Sequence, residues 1–154
     1  MKKILILCSI AFLTFSARAQ NDSLMKIFLN GFENLLHQDS ISDIDSLYIT
    51  LDYLQHKPGF QDQDVTNAYK VHKGMVIDAL NEFIEDLKEK GIDPKSVTLD
   101  NAKLNRGPSK TREYYIMVLR IGETQVRCMS IVRDNFKRGY VMDLSFRPRI
   151  REFK

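Results

Sequence analysis

The spacing of apolar residues changes once along this chain of 154 residues. Up to about residue 90 the apolar side chains recur every three or four residues, which is the repeat of a helix with one buried face. From about residue 96 they tend to alternate with polar side chains, which is the repeat of a half-buried strand. The order predicts an α+β fold in which N-terminal helices pack on a C-terminal antiparallel sheet.

The clearest predicted element is one long amphipathic helix over about 65–90. Asp62 or Asp64 can accept hydrogen bonds from the free amides at its start, and Gly91 followed by Pro94 ends it. Its apolar stripe consists of Val65, Tyr69, His72, Val76, Leu80, Phe83 and Leu87.

Two segments before this helix also carry apolar repeats. A helix is predicted from Asp22 to His37. The segment Ser40–Gln55 fits a helix, although Leu47–Tyr53 also alternates like a strand, and helix is the preferred interpretation. Pro58-Gly59 ends this segment in either case.

The C-terminal part predicts a meander of three to four antiparallel strands. Three strands are expected at Thr111–Ile121, Thr124–Arg133 and Gly139–Arg147, with Pro148 closing the last, and Val97–Leu104 is a weaker fourth. The arrangement, helices first and meander last, is similar to the NTF2-like and cystatin-like folds. This is an analogy of architecture that no sequence motif carries, and it implies no function.

The turn at Gly122-Glu123 fits a two-residue hairpin loop and so predicts which strand residues share a face. The predicted opposed pairs are Leu119 with Val126, Met117 with Cys128, and Tyr115 with Ser130. This first side of the sheet also carries Val141, Asp143 and Ser145. The second side is bulkier and more apolar, carries Ile116, Val118, Met129, Ile131 and Met142, and is predicted to receive the long helix. Arg112, Arg120, Arg127 and Arg133 stand at its margins and are predicted to reach acidic residues of that helix.

Small and polar residues stand beside large apolar ones on the first side, which is typical of a ligand pocket. The candidate ligand-binding residues are Tyr115, Met117, Cys128, Ser130 and Asp143. The leading functional interpretation is a binding or interaction module for a small molecule or an envelope protein. A pocket enzyme that uses Asp143 and Tyr115 for acid/base chemistry is an alternative, and a merely solvent-facing sheet side is the simplest alternative.

The charges divide along the chain. Residues 20–101 hold 15 acidic and 7 basic residues, whereas residues 102–154 hold 5 acidic and 13 basic ones. Arg147, Arg149 and Arg151 form the densest basic cluster and are candidate anion-binding residues, because the planar guanidinium grips phosphate and carboxylate. Anionic envelope polymers are the second alternative partner, and ion pairs between the acidic and basic parts are the simpler explanation.

The N-terminus predicts export. Met1–Ala19 reads as a signal peptide with Lys2 and Lys3, an apolar run over 4–15, and a small-residue cleavage pattern before Gln20. Residues 20–154 are then one secreted or periplasmic domain, without a further membrane-spanning segment. Nucleic acid is a poor partner for such a protein, and the oligomeric state stays open.

No pattern for a catalytic, metal or cofactor site is found. His37, His56 and His72 stand in three different segments, and Cys128 is the one cysteine outside the leader. The glycines form neither a phosphate-binding loop nor a nucleophile elbow. Neither a metal nor a cofactor is therefore predicted.

Overall fold

The computed structural model describes residues 23–57, 60, 64–99, 103–108, 114–121, 124–134 and 137–151. The predicted leader and the two turn residues Gly122 and Glu123 lie outside this described part. Within it, helices come first and a four-stranded antiparallel sheet comes last, which confirms the predicted α+β fold. No helix in these ranges is both long enough and apolar enough to span a membrane.

In the part of the chain that the structure describes, three α-helices precede the sheet. Helix α1 covers residues 23–36, α2 covers Leu51–His56 and α3 covers Thr66–Glu89, and a 3-10 turn follows at Pro94–Ser96. The inward stripe of α3 is fully buried and recurs at the predicted spacing, through Val76, Leu80, Phe83, Ile84 and Leu87.

The ends of α3 form as its sequence predicts. Asp64 accepts a hydrogen bond from the Thr66 amide at 3.0 Å. At the other end Gly91 takes a φ of +74°, and the Ile92 amide donates to the Leu87 carbonyl at 2.9 Å. This left-handed residue with its returning hydrogen bond is the Schellman end of a helix.

The preferred helix over Ser40–Gln55 is wrong for its first part. Tyr48 lies beside Met142 as a short parallel bridge at the edge of the sheet, and the Ile49 amide donates to the Met142 carbonyl at 3.0 Å. Only α2 is helical, and it begins where the Thr50 hydroxyl accepts from the Tyr53 amide at 3.0 Å. Pairing with the sheet edge outweighs a weak local helix preference.

The sheet has the order β1-β2-β3-β4, formed by Lys103–Arg106, Tyr115–Ile121, Thr124–Asp134 and Gly139–Arg151. Strand β4 continues through Pro148 to Arg151, so the prediction that Pro148 closes it is wrong. Pro148 lies opposite Cys128, and β4 ends the strand order. An edge strand accepts a proline, because the missing N–H can face away from the ladder.

The predicted register holds near the hairpin and fails beyond it. Met117 lies opposite Cys128 as predicted, but Tyr115 lies opposite Ile131 rather than Ser130. Ser130 is a bulge with a φ of +63°. A bulge adds one unpaired residue, so the residues that follow it change face relative to a simple alternation.

The prediction that the second side receives the long helix is wrong for the hairpin end of the sheet, whereas Ile131 and Met142 of that side, beyond the bulge, do lie in the core. Met117 and Cys128 on the first side have no exposed surface and belong to the same core cluster as the α3 stripe, whereas Val118 and Met129 are only half-buried. The physical reason is charge. The second side also carries Arg127, and a guanidinium without a partner is costly to bury under a helix.

Helix α1 packs against the core and contacts both β4 and the segment before β1. The Phe32 ring meets the Phe146 ring of β4 edge-on, with 5.9 Å between the ring centroids. Glu33 accepts a hydrogen bond from the Leu99 amide at 2.9 Å. These contacts attach α1 both to the sheet and to the segment that leads into β1.

Candidate functional site

The outer face of the sheet, which lies away from α3, carries the basic side chains. Arg127 stands between Val126 and Cys128, neither of which has any exposed surface. Because successive side chains of a strand point to opposite faces, Arg127 projects away from the core. Arg120 and Arg149 alternate with buried or half-buried residues in the same way.

The strand register gathers these cations into rows. Lys103 of β1 lies opposite Val118 of β2, Val118 lies opposite Arg127 of β3, and Arg127 lies opposite Arg149 of β4. One row therefore crosses all four strands and holds three cations. At a strand spacing of about 4.8 Å, its backbone positions span about 14 Å.

Two neighbouring rows extend this surface. Arg120 lies opposite Gln125 in one row, and Arg147 lies opposite Met129 in the other. Both arginines are exposed. We call the surface formed by the following five cations the basic face: Lys103, Arg120, Arg127, Arg147 and Arg149.

The basic face brings several like charges close together. Among the residues that the structure describes, no carboxylate lies within 4.0 Å of a cationic nitrogen of this face. Like charges directly opposite each other on two strands are destabilising, so the Arg127–Arg149 pair costs stability in the isolated molecule. The Nε of Arg127 is also buried and lacks a hydrogen-bond partner in the described part.

The floor of the basic face is apolar. Ile116 is buried, and Val118 and Met129 are half-buried on this side of the sheet. Long basic side chains can lay their methylene stems along such a floor and keep their charged ends in water. The surface is thus suited to hold several cations side by side.

The sequence found part of this face. Arg147 and Arg149, which the sequence singled out, are exposed on this face. Arg151 of β4 lies opposite Gln125 of β3, and its side chain lies outside the described part. Sequence reasoning missed Lys103, and it directed Arg120 and Arg127 towards the acidic helix. Their strand alternation with buried residues was the signal that places them on the outer face.

The predicted ligand-binding residues are buried in the core or contact neighbouring side chains. Met117 and Cys128 are opposed to each other inside the core. Tyr115 packs edge-on against Tyr140, with 5.4 Å between the ring centroids. Ser130 accepts a hydrogen bond from the Ser145 hydroxyl at 3.0 Å.

Asp143, the fifth predicted residue, is nearly buried beside a lysine. Its Oδ2 lies 3.6 Å from the Lys57 Nζ, and its Oδ1 is buried without a hydrogen-bond partner in the described part. The Tyr48 hydroxyl is likewise buried and unpartnered there. Burial raises the pKa of Tyr48, and the charges of Tyr69 and Asp143 raise it further.

The described part of the chain has no cluster of three or more histidine, cysteine, aspartate or glutamate residues that could hold a metal ion. Searches of family models, curated proteins and solved structures find no match to this chain. Its function is therefore inferred from its own residues.

Proposed function

We propose that this protein is an exported binding module that holds an anionic polymer against the basic face. The observation that carries the proposal is the position of Arg127 directly opposite Arg149, with no carboxylate of the described part at ion-pair distance. A bound anion turns this repulsion into attraction. Two guanidinium groups side by side also offer the forked donors that grip phosphate, sulfate or carboxylate.

The extent of the basic face favours a polymer over a single small ion. The three rows of the basic face lie two residues apart along the strands. Together they cover about 13 Å in the strand direction and about 14 Å across the strands. A chain of linked anionic groups can contact several of these cations at once. Each contact adds to the affinity, which therefore depends strongly on salt.

The predicted leader supports a partner outside the cytosol. Met1–Ala19 has the charged start, apolar run and small-residue cleavage site of a signal peptide. Anionic polymers of the cell envelope are accessible to an exported protein, whereas nucleic acid in the cytosol is not. The basic face and the leader thus support the same class of partner.

The sequence-based alternatives have less support. A pocket lined by Met117 and Cys128 needs exposed surface that these residues lack. Acid/base catalysis by Asp143 with Tyr115 needs the two groups to share a substrate. Asp143 instead lies beside Lys57, and Tyr115 packs on Tyr140.

Salt-dependent binding of the chain from residue 20 to inorganic polyphosphate tests the proposal. The double variant Arg127→Gln with Arg149→Gln should bind more weakly, and its slope of log affinity against log salt should fall by about 2, one for each lost phosphate contact. The control, Lys26→Gln with Lys70→Gln, removes two exposed cations on the helices and should keep the original slope.

Two outcomes would overturn the proposal. Equal slopes for the Arg127/Arg149 variant and the unchanged protein would remove the basic face as the binding surface. Binding to vesicles of anionic lipid, with no binding to polyphosphate, would replace a polymer by a membrane surface. Circular dichroism of each variant establishes that the fold is kept.

A further inference from the structure

A second surface of this protein carries a line of charges of the opposite sign. Asp78, Glu82 and Asp86 are exposed and lie four residues apart along α3. We call these three residues the acidic row. Residues four apart lie on the same side of a helix, so the three carboxylates form one line that spans about 12 Å at a rise of about 1.5 Å per residue.

Among the described residues, the cations near the acidic row are paired elsewhere or form no ion pair with it. Lys88 lies 2.7 Å from Glu85, and Lys95 lies 2.6 Å from Asp39, so these nearby cations are already engaged. Within the described residues, no lysine or arginine lies within 4.0 Å of a carboxylate of the acidic row. Like charges four residues apart destabilise a helix by a few tenths of a kcal/mol, about 0.2–0.5 per pair.

The acidic row lies on the helix layer of the molecule and the basic face lies on the sheet. The inward stripe of α3, including Leu80 and Phe83, packs into the core on the inner side of the sheet, so the acidic row faces outward from the helix layer. The basic face lies on the outer side of the sheet. The two surfaces adjoin at a groove lined by Asp86, Glu89 and Arg149, among others, yet Arg149 forms no ion pair there among the described residues.

We infer that the acidic row of one copy docks on the basic face of a second copy. The two surfaces match in charge, with three carboxylates against five cations, and in length, with about 12 Å along the helix against about 14 Å across the strands. The second copy is the partner because this one chain presents both complementary surfaces. Docking compensates the like-charge repulsion within each surface.

The contact joins two different surfaces, so it is heterologous. Each added copy leaves one basic face and one acidic row free, and the assembly grows as an open chain unless its rotation closes a ring. This inference goes beyond the proposed function. An anionic polymer and a second copy compete for the basic face, so added polyphosphate should disperse the assembly.

Sedimentation velocity at two salt concentrations tests the inference. At about 0.01 M salt, where charges interact over about 30 Å, the chain from residue 20 should form species larger than a dimer, and at about 1 M salt it should be monomeric. A control with Lys26→Glu and Lys70→Glu, which lie outside both surfaces, should associate like the unchanged protein.

Charge reversal identifies the two surfaces. The acidic-row variant carries Asp78→Lys, Glu82→Lys and Asp86→Lys, and the basic-face variant carries Lys103→Glu, Arg120→Glu and Arg147→Glu. Each variant alone should stay monomeric at about 0.01 M salt. Mixing the two in equal amounts should restore association, because each now offers a surface that fits the other.

Several results would overturn the inference. These are a monomer at low salt, a mass that stops at two copies, unchanged association of the acidic-row variant, or no association in the mixture. If either reversed variant fails to fold, neutral versions such as Asp78→Asn with Glu82→Gln and Asp86→Asn replace it and should weaken association. The neutral version of the acidic row keeps the basic face and adds no cation, so its binding to polyphosphate reports on the proposed function independently of self-association.

Discussion

Asp134 at the end of β3 holds the start of α2 through two hydrogen bonds to one residue. Its Oδ2 accepts from the backbone amide of Thr50 at 3.0 Å and from the Thr50 hydroxyl at 3.1 Å. Its Oδ1 accepts from the Lys137 amide at 3.2 Å, and Asp134 has no exposed surface. One carboxylate thus joins the N-terminal segment to the turn between β3 and β4.

Replacing this carboxylate should be costly. Asp134→Ala leaves the Thr50 and Lys137 donors without their acceptor, and we expect a loss of about 3 kcal/mol in the free energy of unfolding. Urea unfolding measures this loss. Asp52→Ala on the exposed side of α2 is the control and should change stability by about 0.5 kcal/mol or less. Equal effects of the two changes would show that Asp134 does not hold α2.

Two glycines of the helical region should respond to alanine in opposite directions. Gly74 lies inside α3 with open space around it, so Gly74→Ala should raise the free energy of unfolding by about 1 kcal/mol. Gly91 has a φ of +74°, so Gly91→Ala should lower it by about 1 kcal/mol. Thermal unfolding of both variants measures the difference. The same sign for both would contradict the helix end described here.

Acid should weaken the attachment of the loop before α2. Lys73 lies 2.8 Å from Asp43 and 2.7 Å from Asp45, and its hydrogen bond holds the pKa of Asp43 below the usual 3.8. A lowered carboxyl pKa contributes stability that is present above pH 3.8 and is lost as the pH falls through the folded-state pKa. The melting temperature should therefore fall with acid in that range. Lys73→Met should make this fall shallower, and an unchanged profile would exclude the contribution.

Cys128 should be unreactive in the folded protein. It is fully buried, and burial raises the pKa of its thiol, so the nucleophilic thiolate is scarce at neutral pH. The chain from residue 20 contains no other cysteine, so a thiol-specific chromogenic reagent reports on this residue alone. We expect reaction only in denaturant. Rapid reaction of the native protein would show that Cys128 is accessible and would restore it as a candidate site residue.

The elements that depend on local sequence were predictable. The buried stripe of α3 follows from the spacing of its apolar residues. The end of the helix follows from Gly91, which takes a left-handed backbone conformation. The register of Met117 and Cys128 follows from a two-residue turn. These features need no knowledge of distant contacts.

The features that depend on tertiary pairing were not predictable. The bulge at Ser130 interrupts the alternation of β3, and nothing in its neighbours' hydrophobicity marks it. Tyr48 pairs with Met142, which lies more than ninety residues further along the chain. This pairing replaces the helix that the sequence favoured around Tyr48. Two of the five residues of the basic face, Arg120 and Arg127, were misplaced for a different reason: the bulk of the second side was given more weight than its charge.

Chemical-shift mapping of the chain from residue 20 during titration with polyphosphate tests the central claim most directly. The amide resonances of Lys103, Val118, Arg127 and Arg149 should shift together, because they form one row across the four strands. The amides of Asp78, Glu82 and Asp86 should stay in place when the titration is done at a salt concentration that keeps the protein monomeric. Shifts confined to the surroundings of Asp143 and Lys57, with the row unaffected, would contradict the assignment of the basic face as the binding surface.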